Sequence, residues 1–375
     1  MPIMIIKSLE LENFRNYSKA KIDIDPYINI LVGLNAQGKT NILEAIFLIA
    51  TSKSHRIQKN NELIKFQEDH ALVSLRAESL RGNNFFNIQV MNDNNKQIHV
   101  NGKRIKRATE LLGYFNVVLF SPEDIDIVCG SPIDRRKFID IFVSQVKPSY
   151  AVLLSDYYKV LKQRNKTLKD ISKQKCKEDM LNMWDEQLVN LSYTIVNERL
   201  QAIKSIEEKA NKFYSYISDY QEQLTIEYYS GIGGKDKYTA QEYKHIFQQK
   251  IKSSLKMDII LGTTSCGPHR DDMLLKLNDK EAKLYASQGQ KRLVSLSLKY
   301  AEVEYIRENT GEYPVLLFDD VLLELDLKRK HKLFEELIKK AQIIITTTDL
   351  KRYQEVVVKA ATIFSINQGE VIKGT

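Results

Sequence analysis

Cysteine is scarce in this chain of 375 residues: there are three, Cys129, Cys176 and Cys266, far apart and without a CxxC pair. That argues against a disulfide framework and leaves free thiols in a reducing compartment as the expectation. No apolar run approaches the roughly 18 residues that cross a bilayer as a helix. Lys7, Glu10, Glu12 and Arg15 break the N-terminal segment before it can form a secretory core. The expectation is a cytoplasmic protein with no membrane partner. Glycine and proline number only 15 and 7, which excludes a low-complexity chain, and both vanish between Tyr150 and Ser230.

What is present is the balance of a globular protein, 43% hydrophobic and 28% charged. At this length the chain is expected to hold two domains. The net charge of +8, from 56 Lys and Arg against 48 Asp and Glu, permits a polyanionic partner without requiring one.

The first hundred residues read as β-rich. Loose alternation over 3–11 and short apolar runs at 28–32, 71–75, 85–90 and 97–100 are separated by turn signals such as Arg81-Gly82-Asn83-Asn84 and Asn101-Gly102. From about Asp134 the period becomes helical, with a break at 231–234, until about Gln248. Apolar runs at 258–261 and 273–277 and a periodic segment at 290–307 follow. The C-terminal part then alternates as strand 315–318, helix 327–341, strand 342–346, a short helix after Asp349 and a strand at 362–366. Buried strands near both termini imply one sheet built from both ends of the chain. The expected fold is α/β, a mixed sheet with flanking helices and an inserted, mainly helical second lobe. The expected domains are 1–120 and 258–375 for the head and 121–257 for the lobe.

Between the run at 28–32 and the periodic segment at 41–50 stands Gly33-Leu34-Asn35-Ala36-Gln37-Gly38-Lys39-Thr40, a complete GxxxxGK[ST] loop. Glycines in such a loop let successive N–H groups and the start of the next helix, here at Asn41, point at nucleotide phosphates. Lys39 adds a point charge, and the Thr40 hydroxyl suits Mg2+. Val315-Leu316-Leu317-Phe318-Asp319-Asp320 is an apolar strand that ends in two carboxylates. Asp319 is the candidate Mg2+ ligand, and Asp320 the group that orients the attacking water, so Asp320, Asp319 and Lys39 are the catalytic candidates. Ser287-Gln288-Gly289-Gln290 opens a helix and offers a hydroxyl and free N–H groups to an anion. Lys159, Lys162, Lys166, Lys169 and Lys173 recur at helical spacing on one face, opposite Leu154, Leu161, Leu168 and Ile171. Such a stripe is either a solvated face or a track for DNA phosphates, with Arg164, Lys175, Arg104, Lys106 and Arg107 as further contributors.

Several further patterns accompany these: Asn13-Phe14-Arg15-Asn16-Tyr17, Pro122-Glu123-Asp124, Arg135-Arg136-Lys137-Phe138-Ile139-Asp140, Gln163-Arg164-Asn165, Gly267-Pro268-His269-Arg270-Asp271-Asp272 and Thr346-Thr347-Thr348-Asp349. In this order, around the loop and the SxGQ element, they make the chain resemble the P-loop, ABC-type ATPase heads of the SMC-like and RecF proteins. The resemblance implies ATP and Mg2+ as cofactors and a head-to-tail homodimer, in which Ser287, Gly289 and Gln290 reach the nucleotide held by the partner's loop. It implies Glu324-Leu325-Asp326 as a cross-interface loop, Thr348-Asp349 as a γ-phosphate sensor and slow, DNA-stimulated hydrolysis. It also implies duplex and gapped DNA as ligand, with RecR, RecO and, indirectly, RecA as partners in recombinational repair and replication. The chain departs from the pattern at Leu323, where Ser or Ala is usual, at Asp320, where most such ATPases carry Glu, and at Glu123, near where relatives place Gln. The nucleotide-binding subunit of a membrane transporter, another SMC-like repair ATPase and a small-molecule kinase are the competing readings.

Overall fold

The computed structural model describes residues 4–57, 59–218, 222–233, 238–321, 326–338, 340–353 and 355–374. The chain divides into two compact units. The first comprises Met1–Asp124, Tyr216–Asp219 and Leu296–Thr375, and the second Ile125–Ser215 and Tyr220–Ser295.

In the first unit a six-stranded sheet runs in the order Glu370–Lys373, Ala361–Asn367, Ile28–Val32, Ile343–Thr347, Val315–Asp319, Val117–Phe120. All neighbours are parallel except the terminal hairpin, so both ends of the chain contribute to one sheet, with Ile30 opposite both Ile345 and Ile363. The strands are nearly continuous Ile, Val and Leu runs because a parallel sheet is covered on both faces. Phe120 stacks on Phe318 across the last pair, with ring centroids 4.4 Å apart. Parallel alignment sends Val32, Asp319 and Thr347 to the same sheet edge, where α/β proteins place ligands.

A second, antiparallel sheet follows the order Tyr17–Asp23, Ile5–Phe14, His70–Ser79, Gly82–Met91, Lys96–Val100, Lys103–Ile105. Helix Lys39–Thr51 contacts strands of both sheets, and every one of its residues except Thr40 and Asn41 is buried. Its apolar residues recur at every position from Ile42 to Ala50 save Glu44, which suits a helix enclosed on all sides. Buried Gln342 ties the sheets together: its Oε1 accepts the Ile6 N–H at 2.7 Å, and its Nε2 donates to the Ile6 and Asp25 carbonyls at 2.9 and 2.7 Å. One amide thus satisfies three backbone groups that burial would otherwise leave unpaired.

The second unit carries helices Pro132–Val146, Pro148–Ser172 and Ala240–Leu261, helix Asn182–Ser218 as far as Ser215, and a three-stranded antiparallel sheet, Lys280–Glu281, Asp272–Leu277, Leu224–Tyr229. Its limits differ from the expected 121–257. Residues 258–295, SxGQ element included, belong here because Leu277 to Asp272 pairs with Leu224 to Tyr229. The helical reading of 134–248 missed the strand Leu224–Tyr229, a short Leu-Thr-Ile-Glu-Tyr-Tyr stretch that follows the long helical period with no glycine or proline before it. The run 258–261 is the end of a helix, closed by Gly262 at φ 63°.

Two buried arginines organise this unit. Arg164 is fully buried, donating from Nε to Asp185 at 2.6 Å and from a terminal nitrogen to Asp258 and the Thr264 hydroxyl, both at 2.9 Å. Arg199, equally buried, holds Asp140 at 3.0 and 2.9 Å, Asp271 at 3.1 Å and the Pro268 carbonyl at 2.7 Å. Arg135 pairs with Asp272 through two hydrogen bonds, 2.6 and 2.9 Å. His269 meets the Tyr157 hydroxyl at 2.7 Å, and burial pushes its pKa down to about 4, so the ring is neutral near pH 7. The motifs around 135–140, 163–165 and 267–272 are therefore an internal ionic framework. Arg164 in particular is no contributor to a DNA-facing stripe, because its charge is consumed inside the unit.

Candidate nucleotide site

The site begins with the turn from strand Ile28–Val32 into helix Lys39–Thr51. Gly33 donates its N–H to Thr347 O at 3.2 Å. A Cβ there would stand 2.3 Å from the Ile366 carbonyl oxygen, so only glycine lets the loop leave the sheet at this point. Gly38 sits at φ 113°, and a Cβ would meet the Asn16 amide at 2.6 and 2.7 Å and the Tyr17 hydroxyl at 2.8 Å. No side chain caps the following helix, whose first-turn N–H groups face the loop.

Lys39 is 4% exposed, and its ammonium donates to the Gly33 and Leu34 carbonyls at 2.8 and 2.9 Å. Burial lowers its pKa from the ordinary lysine value, while the charges of Asp320 and Asp319 work the other way. Leu34, Asn35 and Ala36 form the exposed crest, with Ala36 at φ 64°. The Thr40 hydroxyl donates to Asp319 Oδ1 at 2.9 Å, and the Thr346 hydroxyl donates to the same oxygen at 2.7 Å. Burial raises the Asp319 pKa, and the two hydroxyls oppose that rise, while neighbouring Asp320 and Glu123 add to it. Asp320 donates its N–H to Thr346 Oγ1 at 3.1 Å and adopts φ 52°, an uncommon conformation for a non-glycine residue that fits a chain reversing at a functional edge. The loop and both acids thus come together as the sequence suggests.

A bracing layer behind the loop was not assigned from sequence. Asn16 Nδ2 donates to Gln37 O at 2.8 Å, Asn16 Oδ1 accepts from Asn41 at 2.8 Å, and the Tyr17 hydroxyl donates to Gly38 O at 3.0 Å. From the opposite side Gln368 N–H donates to Gln37 Oε1 at 2.6 Å and Gly369 N–H to Gln37 O at 3.2 Å. Arg15 grips Glu44 of the helix with two hydrogen bonds, 2.9 and 2.8 Å. Burial would raise the Glu44 pKa, but hydrogen bonds from Arg15 and Ser54 and the nearby positive charge lower it. The tight turns Arg15-Asn16 and Gln368-Gly369, each between alternating strands, are the sequence signal for this layer. Arg56 donates to Asn41 Oδ1 at 3.2 Å, which sets it at the helix N-terminus.

The SxGQ element lies in the second unit. Ser287 Oγ accepts the Gln290 N–H at 3.2 Å, and Gln290 Oε1 accepts the Ser287 N–H at 2.7 Å, a reciprocal cap on helix Gln288–Thr310. Gln290 Nε2 also donates to Glu222 at 2.7 Å. Gly289 is exposed with open space where a Cβ would be. Lys159, Lys162, Lys166, Lys169 and Lys173 all lie exposed along helix Pro148–Ser172 and its C-terminal cap, with Lys159 paired to Asp156 at 2.8 Å. Asp349 accepts the Lys351 N–H at 2.9 Å. Residues 322–325, which include Leu323, Glu324 and Leu325 of the expected interface loop, lie outside the described residues.

The family model for the RecF/RecN/SMC N-terminal domain matches residues 5–371. A "DNA replication and repair protein RecF" of Lachnoclostridium phytofermentans is 40% identical over 99% of this chain and all of its own length. One from an Exiguobacterium species is 39% identical over 98% of this chain and 99% of its own. The chain belongs to the RecF family. Among solved structures, one described as the recombination mediator protein RecF with ATP in the RecFOR pathway is 35% identical with a TM-score of 0.93, covering all of this chain and 98% of that one. The Smc head of Pyrococcus furiosus, 18% identical with a TM-score of 0.55 over all of this chain and 97% of its own, shares the fold. Coverage at this level extends the likeness across both units rather than the phosphate loop alone. Among the described residues no helix is long and apolar enough to cross a membrane.

Proposed function

We propose that this RecF-family chain is an ATP-switched DNA-binding protein of recombinational repair and replication. ATP binding joins two copies head to tail on DNA, and slow hydrolysis releases them. The observation that carries this reading is the convergence of the GxxxxGK[ST] loop with Thr40, Asp319 and Asp320 at one sheet edge. It is supported by the structurally similar RecF described with ATP. The exposed Ser287-Gln288-Gly289 surface, whose polar backbone caps a helix N-terminus, suits the γ-phosphate of a nucleotide held by a second copy.

The Thr40 hydroxyl and the Asp319 carboxylate, 2.9 Å apart, form the oxygen donor pair that Mg2+ takes alongside phosphate oxygens. Among the described residues no larger His, Cys, Asp and Glu cluster competes for a metal. Mg2+ bound there would neutralise charge on the phosphates. The chain's own residues supply the rest. Lys39 holds the phosphates, Asp320 orients the attacking water, and the Asn16, Gln37 and Tyr17 layer keeps the loop amides aimed. Asp in place of the longer Glu at 320 leaves a weaker reach to that water, consistent with a switch rather than a fast enzyme. RecR and RecO are the proposed partners, through which the chain assists RecA loading at gaps. The transporter-subunit reading has no observation in its favour.

The lysine stripe on helix Pro148–Ser172 is the proposed DNA track. With ATP present, duplex affinity should fall steeply with salt, with a slope near −0.9 per phosphate contacted, and Lys162→Glu with Lys166→Glu should flatten it. Duplex binding that ignores both ATP and salt would overturn the proposal.

A further inference from the structure

A cleft of about 510 Å3 opens in the second unit between helix Asn182–Ser218 and strand Leu224–Tyr229. Neither the phosphate loop nor the lysine stripe takes part in it. One wall is the helix face Tyr193, Val196, Leu200 and Ile203, and the other carries Tyr238 and Tyr243, with Tyr193 and Tyr238 flanking Tyr243 at 5.9 and 5.8 Å. The volume is that of a pocket for a small ligand or one to two side chains.

Its floor is an edge strand, since Leu224–Tyr229 ends the three-stranded sheet. The outward N–H groups of Leu224 and Ile226 are taken by helix side chains, Asn211 at 2.8 Å and Glu207 at 3.0 Å. Strand alternation turns the N–H and C=O of Tyr228 to the same side, where the strand lines the cleft. An added extended chain can pair there.

The charges at the rim select the occupant. Glu207 is engaged by the strand, and Glu227 pairs with Lys276 at 2.5 Å and accepts the Tyr229 hydroxyl at 2.9 Å. Lys204, one turn beyond Leu200, is exposed, and among the described residues no carboxylate lies within ion-pairing distance of it. Among the described residues the rim thus offers one available cation, Lys204, beside an apolar slot. Two carboxylates in the same rim disfavour a polyanion such as single-stranded nucleic acid.

We propose that this cleft binds an extended peptide segment of a partner protein through an apolar side chain adjacent to a carboxylate. The side chain fills the space between the tyrosine rings and Leu200, the backbone pairs at Tyr228, and the carboxylate meets Lys204. The carboxylate can come from a chain terminus or from an acidic side chain.

Fluorescence anisotropy on the full chain without nucleotide tests this. The probes are the fluorescein-labelled octapeptide GSGSTVIF as free acid, the same peptide as its C-terminal amide, and an amide with Glu in place of Val. The free acid or the Glu peptide should bind at least about tenfold more tightly than the neutral amide, a difference that Lys204→Glu abolishes. Which of the two prevails identifies the source of the carboxylate. Leu200→Glu should weaken every peptide, and both variants should bind a fluorescent ATP analogue like the parent chain, which separates this proposal from the nucleotide reading. No saturable binding up to about 1 mM, equal binding of acid and neutral peptides, or displacement of bound peptide by oligothymidine at equal affinity would overturn it.

Discussion

Replacing Gly38 by alanine tests the geometry of the phosphate loop most sharply. At φ 113° a residue with a Cβ is strained by roughly 1–3 kcal/mol. The new methyl would sit 2.6 to 2.8 Å from the Asn16 amide and the Tyr17 hydroxyl, so the loop must move away from them. That movement breaks the hydrogen bonds from Asn16 to Gln37 O and from Tyr17 to Gly38 O, at about 0.5–1.5 kcal/mol each. The sum, about 2–6 kcal/mol, falls on the one conformation that points the loop amides at phosphate. ATP affinity should therefore drop by at least about 30-fold, since 1.4 kcal/mol is a factor of ten. Titration with a fluorescent ATP analogue measures it. Gly289→Ala is the companion, because nothing lies within 4 Å of its added carbon and a helix N-terminus tolerates alanine well. It should leave ATP binding by the single chain unchanged. Affinity of Gly38→Ala within about threefold of the parent would refute the reasoning.

Two further outcomes follow from the buried charges. Arg164→Met should destabilise the chain by about 3–5 kcal/mol, because it leaves fully buried Asp258 without its partner; urea unfolding measures the loss. DNA affinity per folded molecule should not change, and a selective loss of DNA binding at unchanged stability would restore Arg164 to the surface role. Asp124 accepts the Ser121 N–H at 2.7 Å, and burial pushes its pKa up to about 7 from 3.8, with Lys299 opposing the rise. Between those values the fold holds a proton that the unfolded chain has released, so this contribution is full below about pH 4 and is lost as pH rises through 7. Asp124→Asn should remove that decline, worth up to about 3 kcal/mol over this window, from urea midpoints measured between pH 5 and about 7.5; an unchanged slope would contradict the assignment.

The head was legible because its signals are local. The loop from Gly33 to Thr40 and the run ending at Asp319 and Asp320 each carry their meaning within a few residues, and parallel strands read as plain apolar runs. The lobe was less so. Strand Leu224–Tyr229 finds its partner about fifty residues later, a pairing that no local period records. The motif residues Arg135, Arg164 and Asp271, and Arg199 outside any motif, look like surface charges in sequence, since charged types are seldom fully buried unless paired. Their pairing depends on helices far apart in the chain. Asn16 was visible as part of a pattern, but its purpose, holding Gln37 and excluding a side chain at Gly38, exists only once the two sheets enclose the loop helix.

Sedimentation velocity with and without ATP and duplex DNA addresses the central claim, that nucleotide joins two copies through a composite site. The parent chain should be monomeric alone and dimeric with ATP, more so with DNA. Lys39→Ala should stay monomeric because it does not bind ATP, and Ser287→Arg should stay monomeric while still binding it. A parent chain that remains monomeric at saturating ATP and DNA, or a Ser287→Arg variant that dimerises like the parent, would contradict the account.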